Sequence, residues 1–292
     1  LHDEVAGLIA RQLSPQLGVS GSTAGTAREV DPEAYRLYLL GRQLWNRRTE
    51  ESLAQAEDYF SQALALDPQF TPALVGRADA RLFLALRRGE AGRWSQRRSA
   101  ALNAIEAELR LALKLEPGLA EAHASLANLH TFQDDSARAR PEFLRAIQLN
   151  PNYASAHQWL GLHYWREGDL AEARESVLRA VERDPLSPVI AAACSVVLQA
   201  AGDLEAGRLH AERAVALQPD SPRALSALAT ARWALGEREA AIASARAVVG
   251  RDTSTQGLGR ALFVLGAAGL TDEVERAMTV PGPLASLIRL HG

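Results

Sequence analysis

Residues 157–165 read HQWLGLHYW, placing two histidines, two tryptophans and a tyrosine in nine positions of a chain that is only 5% aromatic. Imidazoles this close together could ligate a metal or move a proton near neutral pH, and tryptophans could anchor a ligand. His123 precedes His157 by 34 residues, and His130 and His163 follow the two by seven and six. A metal ion would need three or four nitrogen, sulfur or oxygen donors within about 2 Å of one point. Equivalent places on neighbouring packed helices stand roughly 10 Å apart, which keeps His123 and His157 from chelating together. No HExxH or Cys/His cluster accompanies them. The expectation is packing with hydrogen-bonded ring nitrogens, and no metal.

Other catalytic groupings fare no better. Glu172, Glu175 and Glu182 alternate with arginines at helical spacing, the pattern of a solvated face. There is no GxSxG and no phosphate-cradling glycine loop. The single cysteine, Cys194, carries no local partner signature, allows no internal disulfide and falls where a helix wants an apolar residue. Neither a catalytic residue nor a cofactor is expected. A hydrophobic share of 47%, a charged share of 23% and a net charge of −3 exclude no globular fold. They give no reason to expect nucleic acid or an anionic membrane as partner. No apolar run approaches the roughly 18 residues of a membrane span. The chain begins at Leu1, and its only methionine is Met278. This reads as a fragment or processed form, expected in the cytoplasm, or in the periplasm if a parent protein is membrane-anchored.

The elements that carry these residues repeat. LKLEP, IQLNP, VERDP and VALQP end in Pro117, Pro151, Pro185 and Pro219, each 34 residues after the last. An earlier copy, LALDP, ends in Pro68, and one period after Pro219 stands Thr253. Each unit reads as two helices. The unit from Ala154 predicts a first helix to about Arg166, a break at EGD, and a second helix over Leu170–Arg183 that Pro185 prevents from continuing. Gly168 suits a left-handed helix end and Asp169 a cap of the next helix. Small residues recur where paired helices would cross: Gly161, Ala173 and Ala180, and one period earlier Ala127, Ala139 and Ala146.

With His157, Leu160, Gly161, Tyr164, Ala173, Val177, Ala180 and Pro185 at the family's places, the chain resembles a tetratricopeptide repeat (TPR) protein. The resemblance implies an all-α fold, a right-handed superhelical solenoid of helix-turn-helix repeats. Six repeats are expected, at 34–68, 71–117, 120–151, 154–185, 188–219 and 222–253. The second carries an insertion around LRRGEAGRWSQRRSA. Residues 254–292 read as a shortened seventh helix pair and a C-terminal cap. Residues 1–17 read as a helix left from a preceding domain, and 18–33 as a flexible linker. This start resembles the TPR region of bacterial TolB-like, winged-helix regulator or adenylate cyclase fusion proteins.

In such arrays the first helices line a concave groove, with the second, fifth, sixth, ninth and twelfth places of each repeat pointing into it. Carried onto this chain, those places give Tyr35, Tyr38, Arg42 and Trp45 in the first repeat, Asp79 in the second and Asn128 in the third. The fourth gives Gln158, Trp159, Leu162 and Trp165, and the sixth gives Trp233. Trp159 stands at a place that is normally polar, which marks it as an exposed binding anchor. The insertion holds a second candidate, a basic patch of Arg87, Arg88, Arg93, Trp94, Arg97 and Arg98; the alternative is a pair of longer helices with a solvated turn. The expected function is non-catalytic. The groove binds a peptide or protein segment, as the regulatory part of a larger bacterial signalling or transcription protein. A small-ligand sensor and a self-association module are the alternatives.

Overall fold

The computed structural model describes residues 30–87, 96–249 and 255–279, without the side chains of 96–99, 255, 256 and 279. They form fourteen α-helices and no strand. In chain order these are α1 (Pro32–Arg47), α2 (Glu50–Leu66), α3 (Thr71–Arg87), α4 (Gln96–Leu115), α5 (Ala120–Phe132), α6 (Ser136–Leu149) and α7 (Ala154–Glu167). There follow α8 (Leu170–Arg183), α9 (Pro188–Ala200), α10 (Leu204–Leu217), α11 (Pro222–Ala234), α12 (Arg238–Val248), α13 (Thr255–Ala267) and α14 (Thr271–Thr279). The insertion in the second unit goes partly into helix length, since α3 and α4 run 17 and 20 residues.

Local chemistry sets the ends of the helices. Thr49 and Ser52 close a reciprocal capping box at α2. Asp31, Asp135, Ser187 and Ser221 each accept a backbone N–H from the first turn that follows. Asp169 does not: it occupies the cap position of α8 but its side chain makes no capping bond. The turn there closes through backbone instead, with Leu170 N–H donating to Gly168 O. Within the pairs, a left-handed residue returns every 34 positions, at Asp134, Gly168, Gly202 and Gly236. Glycine tolerates that conformation without strain, and aspartate is one of the few side chains that also visits it.

Each first helix packs on its own second helix and on the first helix of the next pair, so that α1, α3, α5, α7, α9, α11 and α13 stand side by side. Small residues let them close. Ala127, Ala139, Ala146, Ala173 and Ala180 are all fully buried. A methyl group on Gly161 would lie 2.6 Å from Val177 Cγ1, too close for any side chain. One apolar core runs from α1 through α9, and smaller clusters continue it through α13.

Candidate functional site

The histidines are held by hydrogen bonds within their own repeat or to the repeat before it. His157 Nε2–H donates to Pro151 O at 3.0 Å, and His123 spans Pro117 O and Glu142. His130 Nδ1–H donates to Gln133 Oε1 at 2.9 Å. His163 Nδ1 meets Thr131 Oγ1 at 3.1 Å, and that hydroxyl already donates to Ala127 O. Burial lowers the pKa of His157 and of His163, favouring the neutral ring. Among the described residues no three His, Cys, Asp or Glu side chains gather into a metal-binding group.

Cys194 is buried in α9, and burial pushes its thiol up to about 12. The native chain is therefore expected to give no reaction with a thiol reagent over minutes at pH 8, and one equivalent after denaturation. A fast native reaction would place this cysteine at a reactive surface.

The concave side differs from the open groove expected of it. The superhelix curves so that α1 meets α7, three repeats on. Trp45, Phe83 and Trp159 form a triangle of rings whose centroids stand 6.1–6.4 Å apart. Trp45 is 2% and Trp159 4% exposed. Trp159 is thus no exposed anchor: its neighbour across the groove already covers it. Its unusual place is explained by an aromatic contact that only curvature creates. The Arg48 guanidinium lies over Trp45 at 3.4 Å and over Phe83 at 4.0 Å, while Arg42 lies 4.5 Å from the same indole.

The other expected groove residues separate into two groups. Asp79, Asn128 and Gln158 are buried in the closed part. Tyr35, Tyr38, Arg42, Leu162, Trp165 and Trp233 are half-buried. Trp233 has Arg238 over its ring at 5.4 Å, which places it at the turn between α11 and α12. Of the basic patch, Arg87 ends α3, and the side chains of Arg88, Arg93, Trp94, Arg97 and Arg98 lie outside the described residues.

Around the aromatic triangle lie charged groups of both signs. Asp79 is 1% exposed, and among the described residues neither carboxylate oxygen has a hydrogen bond. Burial raises its pKa to about 6, although nearby Ser125 and the charges of Arg42 and Arg48 oppose the rise. Ser125 comes close enough to favour the ionised form, but its hydroxyl is itself without a bonded partner among the described residues. Arg48 is 7% exposed; burial, and then the charge of Arg223 from α11, push its pKa well down. Burial also raises Glu121 and Tyr153, whose fields reach Arg42.

Arg48, Phe83, Glu121, Ser125, Tyr153 and Arg223 were not singled out from sequence. A signal existed for three of them. Glu121 and Arg223 hold the second place of their repeats and Ser125 the sixth, the same register that selected Arg42, Asp79 and Asn128 at the ninth.

Comparison with known proteins agrees with this architecture. The family model described as tetratricopeptide repeat matches residues 124–188 and 196–257. No curated protein matches the chain. Among solved structures, the APC/C hetero-tetramer Cut9-Hcn1 is similar at a TM-score of 0.56 and 16% identity, over 79% of this chain and 46% of that one. The chain therefore spans about half the length of that relative. A thermophilic TPR protein of Thermus thermophilus is similar at 0.54 and 19% identity, over 68% of this chain and 99% of that one. The human IFIT1 dimer with PPP-AAAA is similar at 0.60 and 17% identity, over 78% and 52%. At these identities the likeness is one of fold: an all-α superhelix of stacked helix pairs. No helix among the described residues is long and apolar enough to cross a membrane.

Proposed function

We propose that this tetratricopeptide-repeat superhelix is a non-catalytic protein-interaction module, and that it takes a partner segment along the first helices of its fourth to sixth repeats. The observation that carries this reading is the contrast along the concave wall. From the first repeat to the first half of α7 in the fourth, the wall is closed by Trp45, Phe83 and Trp159. Beyond them Leu162, Trp165 and Trp233 stay half-exposed on α7 and α11. Leu162 and Trp165 lie one turn apart, so a partner's apolar side chain can rest across both. Large rings that keep some solvent contact are the side chains most often used as binding anchors. A role as the regulatory part of a larger bacterial signalling or transcription protein is consistent with such a module, because a repeat array takes its task from what it is joined to.

The location is tested by photo-crosslinking. A benzoylphenylalanine at Leu162 is expected to capture a partner polypeptide. The same residue at Leu144, exposed on α6 of the outer layer, is expected to capture none. Equal capture from both positions, or capture from Leu144 alone, would remove the concave wall as the binding surface.

A further inference from the structure

Buried polar groups in folded proteins are paired almost without exception, because an unmatched one forfeits the hydrogen bonds that water gave it. In the closed part of the concave side that rule fails at several residues together. Trp45 Nε1, Arg48 Nε, both oxygens of Asp79, Ser125 Oγ, Asn128 Nδ2 and the Tyr153 hydroxyl are all buried without a hydrogen-bond partner among the described residues. They come from the first three repeats and from the N-terminal cap of α7, and several of them act on one another within the closed part of the concave side. Asp79 is within electrostatic reach of Arg42 and Arg48 and beside Ser125, and Arg48 is within reach of Tyr153. Asn128 stands one helical turn beyond Ser125 on α5. Arg42 lies over the Trp45 indole, within reach of the charges of Asp79 and Glu121.

The unmatched atoms are of three kinds. Trp45, Arg48 and Asn128 offer N–H donors, ionised Asp79 offers only acceptors, and the Ser125 and Tyr153 hydroxyls can do either. Water could bond to each atom, but Arg48 would still have the charges of Arg223 and Arg42 against the carboxylate of Asp79 in a desolvated space, an excess that is costly, while Glu121 acts on Arg42. A planar carboxylate satisfies the donors and offsets that excess. A dianionic phosphate would be repelled by Asp79, which instead calls for a donor beside the anion. We propose that this enclosure binds a small α-hydroxy or α-amino acid. Its carboxylate accepts from Arg42, Arg48, Trp45 and Asn128, and its hydroxyl or ammonium donates to Asp79. Trp45, Phe83 and Trp159 wall the site and limit the ligand to a small molecule. The proposal is separate from the partner surface at Leu162 and Trp165, and either can fail without the other.

The test is thermal melting of the intact chain with each of the common L-amino acids, glycolate, L-lactate and L-malate at millimolar concentration. Acetate and inorganic phosphate serve as controls. At least one acid of the panel is expected to raise the melting midpoint saturably and beyond both controls, with one equivalent bound by calorimetry. Asn128→Ala is expected to weaken that binding roughly tenfold or more, the loss of a hydrogen bond to a charged group. Asp79→Asn, close to isosteric and expected to fold, should weaken it similarly. Leu144→Ala, on the outer layer, should leave it unchanged. No shift across the panel, an equal shift with phosphate, or binding indifferent to both Asp79→Asn and Asn128→Ala overturns the proposal.

Discussion

Asp79→Asn is expected to stabilise the ligand-free chain at neutral pH by up to about 3 kcal/mol, in contrast to most substitutions at fully buried positions. Burial lifts this carboxyl from 3.8 to about 6, and the charges of Arg42 and Arg48 recover only part of the penalty. At about 1.4 kcal/mol per pK unit, that displacement amounts to about 3 kcal/mol. The sign follows from which state holds the proton. In the unfolded chain the carboxyl ionises near 3.8, while in the folded chain it stays protonated until about pH 6. Its contribution to stability is therefore fully present below about pH 4 and is lost as pH rises through 6. Asparagine has no such loss. Urea unfolding of the two proteins from pH 4 to pH 8 should show a difference that is near zero at the acid end and grows to its full value above pH 6. Glu121 also titrates upward-shifted beside Arg42, but it is common to both proteins and cancels in the difference. A pH-independent difference, or a variant less stable at pH 7, would mean that Asp79 is paired and ionised in solution.

Phe60→Ala is expected to cost about 3–5 kcal/mol, the range for removing a buried aromatic. Phe60 is fully buried on α2, wedged between two glycines of neighbouring helices. A Cβ on Gly41 of α1 would fall 2.6 Å from its ring, and one on Gly76 of α3 would fall 2.7 Å away. Both helices thus close on the ring with bare backbone, and its loss opens a cavity that neither wall can fill. The arrangement makes a sharper prediction through a double-mutant cycle. Gly76→Ala alone should destabilise by about 1–3 kcal/mol, because the methyl has to displace the ring. In the Phe60→Ala background the same methyl enters empty space and should cost nothing or restore part of the loss. Additive effects in guanidinium unfolding would show that the ring and the glycine are not in contact.

Much of the fold was legible because it depends on local signals. The helix expected from Ala154 to about Arg166 runs to Glu167, and its partner occupies Leu170–Arg183. Proline, glycine and small residues act within one turn of themselves, so their spacing carries through to structure. Asp169 shows the limit of such reasoning. It has the right type at the right position, yet the backbone turn satisfied the helix end before its carboxylate was needed. The histidines were legible for a similar reason: His157 reaches only as far as Pro151, the last residue of the preceding unit.

The sequence by itself determined the helix pairs and their 34-residue period, because each follows from chemistry within one repeat or between neighbours. Only the tertiary structure decided which of the residues expected in the groove are buried and which keep some exposure. Whether Trp159 meets solvent or Trp45 depends on a small rotation added at every repeat, a sum that no single repeat encodes. That sum brings α1 against α7 and Arg48 towards Arg223 of α11. It also converts a row of polar residues, read as the lining of an open groove, into a buried set of donors and acceptors without partners of their own among the described residues.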